Sequence, residues 1–257
     1  MNTFWLGTHK PFFLWNGEPT DWFISINALR SEKGRGRNWF ALKAGARFAI
    51  DSGGFTELSR LGRWTTGPQE YVDTLDEVCA RIGRPTWAAV QDHMCEPFIL
   101  KKTGRTVKQH QADTIQSYID LVKLRPKLHW VPSLQGFALH EYVDHVHQYA
   151  AHGIDLRKLP LVGVGSVCRR QGMDEAVDIM RTLHGMGLKL HGYGFKLTGI
   201  ERAHQWMESA DSLAWSRAAR WEKKAPGHTH PGATCSNCIR YAMDWRERID
   251  ALWRNEP

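Results

Sequence analysis

Three aspartates stand beside short apolar runs: Asp51 after RFAI (47–50), Asp92 after WAAVQ (87–91) and Asp211 before SLAW (212–215). Carboxylates gathered in one pocket can move protons or attack an electrophilic carbon. A single aspartate in such a place can instead simply end a turn. Small and polar residues keep them company. Ser52, Gly53 and Gly54 follow Asp51, and Gln135 and Gly136 follow LHWVPSL (128–134). Ser166, Cys168 and Arg169 come after a run containing Gly163 and Gly165, and Lys196 comes after KLHGYGF (189–195). A separate group lies in the tail, where Cys235-Ser-Asn-Cys238 follows His228 and His230. Four nitrogen and sulfur ligands so close together can close a tetrahedral Zn2+ site, structural because no position is left for water. Two free thiols and two surface histidines are the plainer alternative.

The elements that would bring the aspartates together are legible as period changes. The short runs named above, with LVGVG (161–165), read as strands. Between them lie helical patterns. One opens at Pro68, continues through Tyr71, Leu75, Val78 and Ile82, and is closed by Gly83. Others are marked by Ile115, Ile119 and Val122, by Val143, Val146 and Ala150, and by Ala176, Ile179 and Leu183, with a short helix near 198–208. TFWLG (3–7) and WFISI (22–26) bring the strands to about eight. Strand–helix units repeated this often predict an α/β chain with a parallel sheet, first a (β/α)8 TIM-type barrel and second an open doubly wound sheet. No G-x-G-x-x-G follows a strand, which disfavours a dinucleotide-binding form of the second. In a barrel the reactive groups stand at the C-terminal strand ends, so the three aspartates should converge there. The glycines beside them should keep the walls low for a flat ligand. Residues 1–220 are expected to form the barrel, and 221–257 an appended zinc-knuckle and helical element packed on it.

Composition bounds the partners. The 257 residues, 42% hydrophobic, suffice for a core, and the net charge of +7 favours a polyanion. Twelve tryptophans read as core packing, with base stacking as the other use. Five cysteines with one tight pair do not make a secreted disulfide framework, so a reducing compartment is expected. The N-terminus has no basic region followed by a long apolar run, and no run reaches the ~18 residues of a membrane span. No signal peptide and no membrane association are expected.

These residues resemble a known family. Asp51-Ser-Gly-Gly-Phe55 resembles the DSGGFQ signature of the tRNA-guanine transglycosylases (queuine tRNA-ribosyltransferases), which exchange guanine for a 7-deazaguanine base. Gly67-Pro-Gln-Glu-Tyr-Val72, Val90-Gln-Asp92, Leu134-Gln-Gly136 and Val162-Gly-Val-Gly-Ser-Val167 resemble further elements of that family, in its order. Asp211 opens a D-x5-R-x-A-R segment ending at Arg220, the spacing found at the family's nucleophile. Together these cover roughly residues 47–220. Thr56 stands where the family has glutamine, and Cys168-Arg169 where it has Gly-Glu. The compact chain, with GSVCRR and a late C-x2-C, looks most like the DpdA-type branch of bacteria and phages, which inserts 7-deazaguanines into DNA.

The resemblance implies an enzyme, a pentosyltransferase with DNA as nucleic-acid partner and a preQ0-like incoming base. It implies Asp211 as nucleophile, Asp51 as general acid/base, and Asp92 and Gln135 as readers of the base edge. Ser52, Gly53, Gly54, Gly163, Gly165 and Ser166 would shape the base site, and Arg217 and Arg220 would bind phosphate. A bacterial or phage-infected cytoplasm follows as the expected location. Competing readings are the same chemistry on tRNA, a nucleosidase that releases the base to water, and a barrel that binds nucleic acid without catalysis. The three carboxylates argue against the last, since binding a polyanion has no use for them.

Overall fold

The computed structural model describes residues 3–30, 39–168, 170, 174–230 and 232–254. Arg169, one of the residues singled out in the sequence, lies outside them. The N-terminal half runs β1 (Thr3–Thr8), α1 (Phe13–Asn16), β2 (Asp21–Ser25), α2 (Ile26–Arg30), β3 (Arg47–Asp51), α3 (Gly54–Leu61), α4 (Pro68–Arg81) and β4 (Trp87–Ala89). It is followed by α5 (Pro97–Thr103), α6 (Val107–Leu124), β5 (Trp130–Val131), β6 (Ser133–Leu134), α7 (Leu139–Ala151), β7 (Val162–Val164) and α8 (Asp174–Gly185). The chain continues with β8 (Leu190–Gly192), α9 (Leu197–Ala203), β9 (Ser209–Ser212), α10 (Ala214–Ala218) and α11 (Ile239–Arg254).

All strand pairs are parallel, in the order β5-β4-β3-β2-β1-β9-β8-β7-β6. The two ends of that order, β5 and β6, are separated only by Pro132. One stave, broken at a residue that has no N–H to give to a ladder, therefore pairs with β4 on one side and β7 on the other. Gly163 N–H reaches Pro132 O at 2.8 Å across this break. The result is the expected barrel of nine parallel segments, with helices outside.

Alternation along the strands sorts side chains into two cores. Phe4, Leu6, Trp22, Ile24, Phe48 and Ile50 face the helices. Trp5, Phe23, Ala49, Trp87, Ala89 and Val131 fill the barrel axis, with Trp5 and Trp87 edge-to-face at 5.6 Å. Most tryptophans thus pack, as expected, but Trp221 is 86% exposed. The same alternation carries Asp51 inward two residues after Ala49, and Asp211 inward one residue after the outward Ala210.

The last strand is not the run the sequence suggested. SLAW (212–215) enters α10, and the strand is Ser209-Ala-Asp-Ser212. Apolarity misled because Trp215 is a buried helix residue whose indole N–H donates to Gly7 O at 2.8 Å. The true strand is a run of small and polar residues beside β1, which approaches it closely at Gly7. A Cβ on Gly7 would lie 2.7 Å from the Ser212 backbone. The short helices α1, α2, α3 and α5 had no readable period.

Candidate active site

A cavity of about 500 Å³ opens at the C-terminal end of the barrel, within the ~300–1,000 Å³ range of small-molecule sites. Asp51, Ser52, Gly54, Asp92, Gln135, Gly165, Ser166, Asp211 and Arg217, all named from the sequence, line it. Gly53, Gly163 and Arg220 are not among its lining residues, and neither is exposed Thr56.

Asp211 ends the strand framework between β1 and β8, 7% exposed. Its Oδ1 accepts from Gly194 N–H at 2.9 Å and lies 3.3 Å from His191 Nε2. His191 is fully buried, and its Nδ1 faces Ser209 Oγ at 2.8 Å. A ring oriented this way gives its Nε2 proton to the carboxylate. Both bonds go to Oδ1, so among the described residues Oδ2 takes none and is left for whatever enters the cavity.

Asp51 lies at the end of β3, beside Ser25 of β2. Burial first, then the charge of Asp211, push its carboxyl up to about 6, while Ser25 and the Gly53 N–H hold it down. Asp92 is pushed further, to about 7, by burial and by Asp51, against a hydrogen bond from Gln135. The three carboxylates therefore interact, with Asp51 in the middle. A carboxyl that titrates near neutrality can hold a proton or release it at working pH.

From Asp92 a hydrogen-bonded wall runs round the cavity. Gln135 Nε2 donates to Asp92 Oδ2, Gln135 Oε1 is 2.7 Å from Ser166 Oγ, and Ser166 Oγ is 2.9 Å from Glu96 Oε2. Gln135 is fully buried, its backbone held by His145 and Gln111. The glycines make room for this wall, while Gly54 and Gly165 also line the cavity. A Cβ on Gly165 would lie 2.1 Å from Gln135 Nε2, and one on Gly163 would lie 2.3 Å from the Tyr193 ring. Gly53 adopts φ 82° with Asn27 against it, its carbonyl accepting from Asn27 Nδ2 at 3.1 Å.

The raised pKa of Asp92 has a consequence for stability. A carboxyl whose folded pKa exceeds the ordinary 3.8 costs stability as pH rises from about 4 to about 7, and the cost stays constant above that. Asp92→Asn should therefore melt higher than wild type at pH 8, by roughly a few degrees, with the gain shrinking towards pH 5. Thermal denaturation across that range is the check, and a gain independent of pH would contradict the assignment.

The outer rim is basic. Arg217 lines the cavity mouth, and the charges of Lys10 and Arg220, with burial as the larger cause, lower the pKa of His9. Exposed Trp221 sits between Arg220 and Lys223. Beyond it the tail brings His228, His230, Cys235 and Cys238 together, all ligand atoms within 4.8 Å of one another. Cys235 Sγ lies 3.4 Å from His228 Nδ1 and from His230 Nε2, and Cys238 Sγ lies 3.4 Å from His228 Nδ1. A tetrahedral metal with S at ~2.3 Å and N at ~2.05 Å has an S···N edge near 3.6 Å, so the donors fit one ion. His228 Nε2 faces Asp244 at 3.9 Å, the outer-shell partner a ligating histidine favours. Ser216 Oγ donates to Ser236 O at 2.6 Å, tying α10 to this knuckle.

Sequence reading missed His191, Glu96, Tyr193 and Ser25. His191 could have been found as a basic residue in an otherwise apolar strand, and Ser25 as the last residue of WFIS. Glu96 gave no signal, because it lies on a loop beyond Asp92.

Among the described residues no helix is long and apolar enough to cross a membrane. No curated protein matches the chain. A family model does: the model described as DpdA, DeoxyPurine in DNA protein A, matches residues 1–255.

Proposed function

The chain belongs to the DpdA family, whose role lies in deoxypurine modification of DNA, and from that premise we propose that it exchanges guanine in DNA for a 7-deazaguanine base. The observation that carries this reading is the trio Asp51, Asp92 and Asp211 lining one cavity, with Asp211 Oδ2 taking no hydrogen bond among the described residues.

Asp211 attacks C1′ of the target deoxyguanosine, and the C1′–N9 bond breaks with its electron pair leaving on guanine. Asp51, whose pKa of about 6 lets it carry a proton, protonates the departing base. The covalent glycosyl-aspartate divides one hard displacement into two easier ones. The incoming base then gives its N9 proton to Asp51, attacks C1′ and releases Asp211. Gly194 N–H and His191 position the nucleophile by holding its other oxygen. Ionised Asp92 accepts from N1–H and the exocyclic amine, and Gln135 faces the carbonyl. A base in a duplex must leave the stack to reach this depth, and Arg217, Arg220 and Trp221 offer phosphate contacts and a stacking surface at the rim. The tail cluster is read as structural zinc, held by His228, His230, Cys235 and Cys238, and the tail from about 221 as a unit appended to the barrel.

Mass spectrometry of nucleosides digested from DNA and from tRNA, in cells with and without the gene, tests this reading. A 7-deazaguanine deoxynucleoside present only with the gene is expected. A modified base in tRNA alone, or free guanine released with no incorporation, would overturn it.

A further inference from the structure

Four carboxylates line the cavity, and the reaction above gives work to three. The fourth, Glu96, caps α5 and is 5% exposed. Among the described residues no lysine or arginine forms an ion pair with it. A buried carboxylate without a cation is costly to hold. Its one side-chain partner is shared: Ser166 Oγ lies 2.9 Å from Glu96 Oε2 and 2.7 Å from Gln135 Oε1, and it also receives the Cys95 N–H at 2.8 Å. A hydroxyl has one proton, so one of the two acceptors always goes without it. Ser166 is held in this position with φ 56°, a backbone region that a residue with a side chain rarely adopts. The wall thus presents an unmet acceptor to the cavity.

The order of groups along the wall identifies the ligand atom that would meet it. From Asp92 the sequence is Gln135, Ser166, Glu96. Along one edge a 7-deazaguanine presents its exocyclic amine, N1–H, the carbonyl, and then the substituent on C7. With the first two on Asp92 and the carbonyl at Gln135, the C7 substituent arrives at Ser166 and Glu96. We propose that Glu96 selects the incoming base by its C7 substituent, taking a cationic, hydrogen-bond-donating group such as aminomethyl over a nitrile. This rests on the base-exchange reading above. An ammonium supplies both the missing donor and the missing charge. A nitrile offers only an acceptor, and so does N7 of guanine, which meets the same carboxylate. The preference departs from the preQ0-like base that the sequence resemblance implies, and it would make the leaving guanine the weaker ligand.

The test is equilibrium binding of three free bases, 7-aminomethyl-7-deazaguanine, 7-cyano-7-deazaguanine and guanine, to the full chain by calorimetry. Wild type should bind the aminomethyl base about ten- to a hundredfold more tightly than the other two, the range of one charge-assisted hydrogen bond. Glu96→Gln, isosteric but neutral, should lose that preference while its affinity for the cyano base is kept or improved. Glu96→Asp, which keeps the charge, should retain part of it. Equal affinity of wild type and Glu96→Gln for the aminomethyl base, or no binding of any of the three, would overturn the proposal. Binding is read without turnover, so a protein that shows the preference yet leaves DNA unmodified would sink the exchange reading and spare the selectivity.

Discussion

Asp211→Ala is expected to abolish the proposed base exchange, with a loss of about 10^4-fold or more in rate, and no covalent protein–DNA adduct should form. The size of the effect follows from where the carboxylate stands. It is the residue whose Oδ1 is fixed by Gly194 N–H and His191, leaving Oδ2 to the cavity. In the proposed exchange, removing it would take away the attacking atom and the negative charge that stabilises an oxocarbenium-like transition state. Asp211→Asn is the sharper variant, because an amide keeps a carbonyl oxygen for Gly194 N–H yet cannot attack C1′. The measurement is incorporation of a labelled base into a DNA oligonucleotide, with the adduct followed on denaturing gels. Both variants should melt close to wild type. Exchange within tenfold of wild type in either would remove Asp211 from the role of nucleophile.

The second large effect is on the tail. If the cluster holds zinc as proposed, Cys235→Ser should lower the bound metal from about one equivalent to less than half, and cost a few kcal/mol, or roughly 5–10 °C in melting temperature. Cys235 is the centre of the cluster, since its sulfur meets His228, His230 and the Ala225 N–H. The side chains of Cys235 and Cys238 are buried against the start of α11. On the zinc reading, that segment would lose without the ion the ligand bonds that replace a core. The damage should be local. Arg246 of α11 still reaches Thr20 and Asp21 on the barrel, while the segment 222–238 becomes open to protease. DNA affinity should fall with it, because the knuckle supports α10 and Arg217 through Ser216. Elemental analysis after chelator-free purification, with limited proteolysis, is the check. A zinc-free wild type that resists protease as well as a zinc-loaded one would end the metal assignment.

How far the sequence reached can be judged residue by residue. Period-two runs and helical spacings are local signals, and they located nearly every stave of the barrel. Asp51 and Asp92 were visible because each follows such a run, and the tail ligands because C-x2-C is compact. SLAW failed because apolarity does not distinguish a strand from a buried helix start, and the strand itself, Ser209–Ser212, carries no apolar run to mark it.

What the sequence by itself determined was therefore the alternation of elements, the place of Asp51 at a strand end and the close grouping of His228, His230, Cys235 and Cys238, since each depends on residues within a few positions of one another. The tertiary structure alone decided the break at Pro132 that closes the circle, the holding of Asp211 by His191 and Gly194, and the wall that joins Asp92, Gln135, Ser166 and Glu96. It also showed that the missing side chains of Gly165 and Gly163 make room for Gln135 and Tyr193. These features join groups 17 to 70 residues apart in the chain. They depend on which strand ends a closed barrel brings to one mouth, and local pattern carries no record of that distance.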